Sequence, residues 1–130
     1  PAGRAAKEVL REHFQDRVYM HQTCAVDAAG MPRARWRDLP DALAAEQWEY
    51  DWLCHFHVPV YLRDFMGGLQ AANAELLAVL DRLRQVPQPQ CILEIETYSY
   101  HVLPAAVKST SLAECMRQEM AFVQQALQTR

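Results

Sequence analysis

EYDWLCHFHVPV, residues 49–60, decides the fold. It reads as a strand running from Glu49 to Val60 and ending at Pro59, because proline has no N–H to give to a ladder. Side chains two apart on a strand share a face, so Leu53, His55 and His57 point one way and Cys54, Phe56 and Val58 the other. CILEIET, Cys91–Thr97, reads the same way: Ile92, Glu94 and Glu96 share a face opposite Cys91, Leu93 and Ile95. In both stretches one face is apolar and the other becomes ionisable only toward its carboxyl end.

Outward from these two, RVYMHQTCAV, residues 17–26, reads as a first, brief strand. The segment before it, between Gly3 and Asp16, places Val9, Leu10 and Phe14 at the spacing of a short amphipathic helix. Asp27 to Pro40, with Gly30, two prolines and its arginines, reads as a long polar loop, and a short helix follows from about Asp41 to Gln47. Between Leu69 and Val86 the set Leu76, Leu77, Val79, Leu80, Leu83 and Val86 fits a helix that Pro87 and Pro89 stop. Ser111 three positions before Glu114 is a capping-box signature, and Leu112, Met116, Met120, Val123 and Leu127 then form one helical stripe. Strands thus alternate with helices, which predicts an α/β fold of βαβ units around a parallel sheet, open or closed into a barrel.

The chain has 130 residues, 13 Lys and Arg against 16 Asp and Glu, and a net charge of -3. That balance argues against a nucleic-acid partner gripped by a broad basic face. With 51% hydrophobic and 22% charged residues it has the composition of a folded domain, not a disordered tail. No apolar run approaches the roughly 20 residues of a membrane helix, so membrane insertion is not expected. Cys24, Cys54, Cys91 and Cys115 are scattered with no C-x-x-C pair, which reads as free thiols in a reducing, cytoplasmic compartment. The chain opens at Pro1 with no signal-type segment, and reads as a piece of something longer.

Buried charges are costly unless paired or bound to a metal, by several kcal/mol per ion even after relaxation. One His or one Glu on a strand is more often a hydrogen-bonded core or edge residue than a ligand. Two of each, His55 with His57 and Glu94 with Glu96, at the carboxyl mouth of parallel strands point to a metal or sugar site. An imidazole and carboxylate set suits a divalent ion such as Zn²⁺, Mn²⁺, Co²⁺ or Mg²⁺. His21, in phase with Tyr19, reads as structural or substrate-contacting. Arg63 could reach a carboxylate, phosphate or hydroxyl of a ligand. Gly67 and Gly68 read as a turn, and Trp36, Trp48 and Trp52 as packing residues. No G-x-S-x-G, Walker A or G-x-G-x-x-G motif is present, which turns the reading away from serine hydrolases and nucleotide binders.

YMHQ (Tyr19 to Gln22), RDLPDAL (Arg37 to Leu43), HFHVPVYL (His55 to Leu62) and LEIETYSYHVLP (Leu93 to Pro104), in that order, resemble the C-terminal part of the metabolite-traffic protein EboE family. That family belongs with the sugar phosphate isomerases and epimerases of the xylose isomerase-like TIM-barrel superfamily. The resemblance implies a (β/α)8 barrel of which these are the last strands. It implies that Glu96, before Thr97, is the metal-binding and proton-moving carboxylate of the eighth strand. His57, with His55 close behind, would be the metal-binding imidazole of the seventh. Arg63 would contact substrate, with Glu94 and His21 as further substrate-contacting candidates. The remaining acidic ligands have no counterpart in this chain.

The implied chemistry is proton transfer next to a carbonyl, or a hydride shift, on a small polyhydroxylated or phosphorylated metabolite held by a divalent ion. The family is associated with gene clusters that move a secondary-metabolite precursor toward the periplasm, so a noncatalytic metabolite-binding barrel in an export pathway is the alternative. A third reading makes the His and Glu residues a mere polar network. A whole barrel takes about 250 residues. This chain would therefore be about three to four βα units with open edges, prone to self-association when made alone.

Overall fold

The structure, a computed structural model, describes residues 2–16, 18–86, 90–97, 99–108 and 111–128. The expected strand start at Arg17, the helix stop at Pro87 and Pro89, and Tyr98 of the LEIETYSYHVLP block lie outside them. The chain is mixed α/β and divides into two compact units, Pro1–Phe56 with Met66–Leu69, and His57–Phe65 with Gln70–Arg130.

The first unit holds helix α1 (Ala2–His13), strands β1 (Thr23–Val26), β2 (Pro32–Trp36) and β3 (Asp51–Cys54), and helix α2 (Leu39–Ala45). Its sheet has the order β2-β1-β3, and both pairings are antiparallel, with Cys24 opposite Arg35 on one side and Leu53 on the other. This corrects the parallel sheet expected from the alternation of elements. The connection from Val26 to Pro32 is too short for a parallel crossover, which takes about a dozen residues or more.

What reads in sequence as a polar loop is a hairpin, and Asp27 builds its turn. Its Oδ1 accepts the amides of Ala29 and Met31, each at 2.9 Å, while Gly30 adopts φ 76°. The Met31 amide above all, against a small burial effect and with the Arg33 guanidinium, holds the Asp27 carboxyl below its ordinary value. PRARW then alternates exposed Arg33 and Arg35 with half-buried Ala34 and Trp36. Pro32 is tolerated because it opens an edge strand.

Asp38 caps α2. Its Oδ1 accepts the Leu39 amide at 2.8 Å and also the His21 amide at 2.9 Å, so one carboxylate joins the helix start to the segment before β1. Leu10 of α1 and Phe14 just after it, Ala25 and Val26 of β1, and Leu39, Ala42 and Leu43 of α2 are all buried and make this unit's core.

The second unit holds helices α3 (Asn73–Gln85) and α4 (Leu112–Gln128) and a single 3-10 turn, Tyr100–Val102, among its described residues. The two helices pack on each other. Residues 91–97 join no β-ladder among the described residues, so the expected strand Cys91–Thr97 is not a strand, and Ile92 is 88% exposed. The strand expected over Glu49 to Val60 shrinks to β3. In neither unit do the described residues close a barrel.

The expected cap of α4 forms. Ser111 Oγ accepts the Glu114 amide at 3.1 Å, as the capping signature requires. Glu114 then turns to Arg117 and Gln118, whose hydrogen bonds hold its carboxyl down at about 2. The expected stripe does not hold. Leu112, Met116 and Met120 are exposed, whereas Cys115 and Glu119 are buried. The first two turns of the stripe face water, Val123 and Leu127 are half-buried, and α4 buries the neighbouring face.

Candidate functional site

His57 and Glu96 meet. The first leaves the end of the HFH run and the second sits near the end of the 90–97 segment, and His57 Nδ1 stands 2.9 Å from Glu96 Oε2. A carboxylate oxygen accepts only, so Nδ1 carries the hydrogen. The neutral ring therefore keeps its lone pair on Nε2, the atom that would take a proton or a metal. The His57 side chain is 22% exposed and that of Glu96 55%, which makes the pair a half-open one, reachable by a ligand.

The pair lines a cavity of about 10 Å³ together with Pro59, Ser99, Cys115 and Glu119. A space of that size admits about one water molecule. Glu119 is the residue the sequence does not reveal. It is 4% exposed, accepts the Val60 amide on Oε1 at 3.1 Å and faces the Cys115 thiol with Oε2 at 3.5 Å. The apolar stripe of α4 points attention to the wrong face. The one available signal is that Glu119 follows Cys115 by a helical turn.

The other candidates lie elsewhere, and each is a correction to a shared site. His55 belongs to the first unit, is exposed, and sets Nδ1 3.2 Å from Gln22 Oε1. It does not share a strand face with His57, because β3 ends at Cys54 and the two histidines fall in different units. Glu94 is exposed on the ladder-free segment and has no strand parity to align it with Glu96. The Arg63 side chain is 85% exposed and only 3.9 Å from Asp64, a loose surface pair.

His21 is buried in the first unit. Its Nε2 donates to Asp16 Oδ2 at 2.8 Å and its Nδ1 stands 3.3 Å from the His55 carbonyl, with the Phe56 ring at 4.3 Å. Both nitrogens face oxygen acceptors, so the ring serves as a fixed donor, not as a ligand. Burial alone would raise the Asp16 carboxyl. The Tyr19 amide, the His21 ring and the Val18 amide outweigh it and hold the group below its ordinary value.

Among the described residues no three His, Cys, Asp or Glu side chains converge to hold a metal ion. His57 and Glu96 supply at most one nitrogen and one oxygen, whereas zinc takes at least three protein ligands. A hard ion that keeps most of its waters needs only one or two protein oxygens. With its Nδ1–H given to Glu96, His57 could offer an ion Nε2, with Glu96 orienting the ring, which fits at most a weakly held, largely hydrated ion and does not fit a tight zinc centre.

The first unit carries its own groove, about 660 Å³ and open to solvent, over the sheet face formed by Cys24, Arg35 and Leu53. Cys54 borders it, and burial pushes the Cys54 thiol up to about 11, against the Thr23 hydroxyl and Lys7. All four cysteines are free, with Cys91 exposed and Cys115 buried. Since the thiolate is the nucleophile, a disulfide reagent at neutral pH should modify Cys91 of the native chain first. Cys54, half-buried and with a raised thiol value, should react more slowly, and Cys115 only when denaturant is added. Equal rates for Cys54 and Cys91 in the folded chain would contradict the burial of Cys54.

No helix among the described residues is long and apolar enough to cross a membrane. No family model, no curated protein and no solved structure matches the chain.

Proposed function

We propose that the chain handles a small polyhydroxylated or phosphorylated metabolite at the His57–Glu96 pair, as part of a sugar phosphate isomerase- or epimerase-like protein of the metabolite-traffic type. The observation that carries this is the 2.9 Å contact between His57 Nδ1 and Glu96 Oε2 at the rim of a cavity, from two segments distant in sequence. In this reading Glu96 is the base. Its Oε2 is held by His57 and its Oε1 takes the proton from carbon next to a substrate carbonyl. A divalent ion, Mn²⁺, Co²⁺, Mg²⁺ or Zn²⁺, held in part by His57, whose ring Glu96 orients, would polarise the substrate oxygens.

The EboE resemblance supports this reading and the cytoplasmic setting that goes with it. It also supports a partial barrel. In the second unit the ladder-free runs 57–59 and 91–97 precede α3 and α4 in turn, an order compatible with two consecutive βα units. The exposed Ile92 and Leu93 favour self-association of the isolated chain.

The test is exchange of solvent deuterium into a ketopentose phosphate, with and without Co²⁺, alongside calorimetric titration of Co²⁺ itself. Co²⁺ should bind weakly, and His57→Ala or Glu96→Gln should weaken it about tenfold or more, roughly 1.4 kcal/mol or above. Deuterium uptake that Glu96→Gln abolishes supports catalysis. Saturation-transfer evidence of sugar phosphate binding without uptake supports the noncatalytic carrier, which the sparse donor set also favours. No binding of either probe overturns both.

A further inference from the structure

His57 stands on a segment that no ladder holds, yet its ring meets Glu96 at a defined distance. Side chains hold the segment instead. Ser99 Oγ lies 3.4 Å from the His57 carbonyl and donates to it. Three residues on, the Val60 backbone is gripped at both of its polar groups: its N–H donates to Glu119 Oε1 of α4 at 3.1 Å, and its carbonyl accepts Asn73 Nδ2–H of α3 at 2.6 Å. Between His57 and Val60 the buried Pro59 fixes one φ, and the Leu62 amide closes a turn on the Pro59 carbonyl at 3.0 Å. The grip is thus transmitted through a short, stiff piece of chain.

Neither gripping residue is what packing alone would select. Glu119 is a carboxylate at 4% exposure, and Asn73 Oδ1 is buried with no hydrogen-bond partner. Turning the Asn73 amide over would set its oxygen against the Val60 oxygen, so the carbonyl dictates the orientation and the orphan is its consequence. An unsatisfied buried acceptor is costly, and a leucine at the same place would not incur that cost. What these polar groups add is a fixed backbone.

We propose that Glu119 and Asn73 are positioning residues which, by holding the N–H and the carbonyl of Val60, set where the His57 imidazole stands against Glu96. The inference rests on the reading of that pair as a ligand site, and its test separates the two.

In the full 130-residue chain, Glu119→Leu, Asn73→Leu and Glu119→Gln are compared with wild type by three measurements. These are hydrogen exchange of the Val60 amide, the nuclear Overhauser contact between the His57 ring and the Glu96 γ-protons, and calorimetric affinity for Co²⁺. Each leucine variant should lose the His57–Glu96 contact and bind Co²⁺ about tenfold more weakly, the size of effect seen when an outer-shell partner is removed. In Glu119→Leu the Val60 amide should also exchange faster than its neighbours. Glu119→Gln, which keeps an acceptor for Val60, should restore all three.

A folded Glu119→Leu chain that keeps both the contact and wild-type Co²⁺ affinity overturns the proposal. If that chain fails to fold, Asn73→Leu is read from the other polar group of the same residue, and loss of folding in both overturns positioning in favour of plain support. If wild type shows the Overhauser contact but binds no Co²⁺, the metal reading fails while the contact alone judges the clamp.

Discussion

Gly67→Ala is expected to destabilise the first unit by about 2–5 kcal/mol, where Gly68→Ala costs only about 1–2 kcal/mol. The two glycines are neighbours with the same backbone sign, φ 67° and φ 81°, so an added methyl group meets the left-handed penalty at both. What differs is the space. A Cβ on Gly67 would stand 2.2 Å from Val9 Cγ2, with Val9 Cβ at 3.0 Å, whereas one on Gly68 meets nothing within 4 Å.

Val9 lies inside α1, where a β-branched side chain has one strongly preferred rotamer, so it cannot swing away. The turn Met66–Gly68 packs on that helix because residue 67 has no side chain. All three tryptophans, Trp36, Trp48 and Trp52, belong to this unit, so urea unfolding followed by their fluorescence reads it selectively. In a Val9→Ala background the extra cost of Gly67→Ala over Gly68→Ala should largely vanish. Equal midpoints for the two glycine variants on the natural background would mean that the close approach does not exist.

Gly67 also shows how far sequence carries. A glycine pair marks a turn, and a turn is what forms, but that one of the two lies against a valine nearly sixty positions earlier is a tertiary fact. Helices were legible for the same reason the turn was. The period that identifies α3 and the Ser111 cap of α4 are local signals, and both lie where the sequence puts them. Strands were not. CILEIET has strand composition, but a strand exists only by pairing, and the described residues give it no neighbour. PRARW has its neighbour and pairs, although proline and two arginines disguise it.

The site divides along the same line. Glu96 and His57 each stand out as an ionisable group ending an apolar run, and they meet. His55 and Glu94 were added only by strand parity, and with β3 ending at Cys54 and no ladder at 91–97 there is no parity to obey. Glu119 was hidden because a buried carboxylate leaves no periodic trace beside a stripe of Leu and Met.

Lys7 was hidden too, and its replacement is the second large effect expected. It precedes Leu10 and Phe14 by three and seven positions, which puts it on the buried face of α1, and it is 3% exposed. Its ammonium donates to the Trp48 carbonyl at 2.9 Å and to the Tyr50 carbonyl, and stands 4.8 Å over the Trp52 ring. One cation thereby joins α1 to the loop that leads into β3. Lys7→Met keeps the aliphatic stem but leaves the two carbonyls without their donor, and should cost about 2–3 kcal/mol. Lys7→Ala loses the stem as well and should cost about 3–5 kcal/mol.

The pH dependence has a definite sign. Burial lowers the Lys7 value from 10.5, with Asp51 and Glu49 opposing it. Just below 10.5 the unfolded chain therefore holds more protons than the folded one, and stability rises with pH there. The advantage of wild type over Lys7→Met should widen as pH climbs toward that value, in paired urea titrations read by tryptophan fluorescence. A gap that narrows over that range would mean the ammonium is stabilised in place by its neighbours more than burial disfavours it, and a gap of zero at neutral pH would mean the two carbonyls never relied on Lys7.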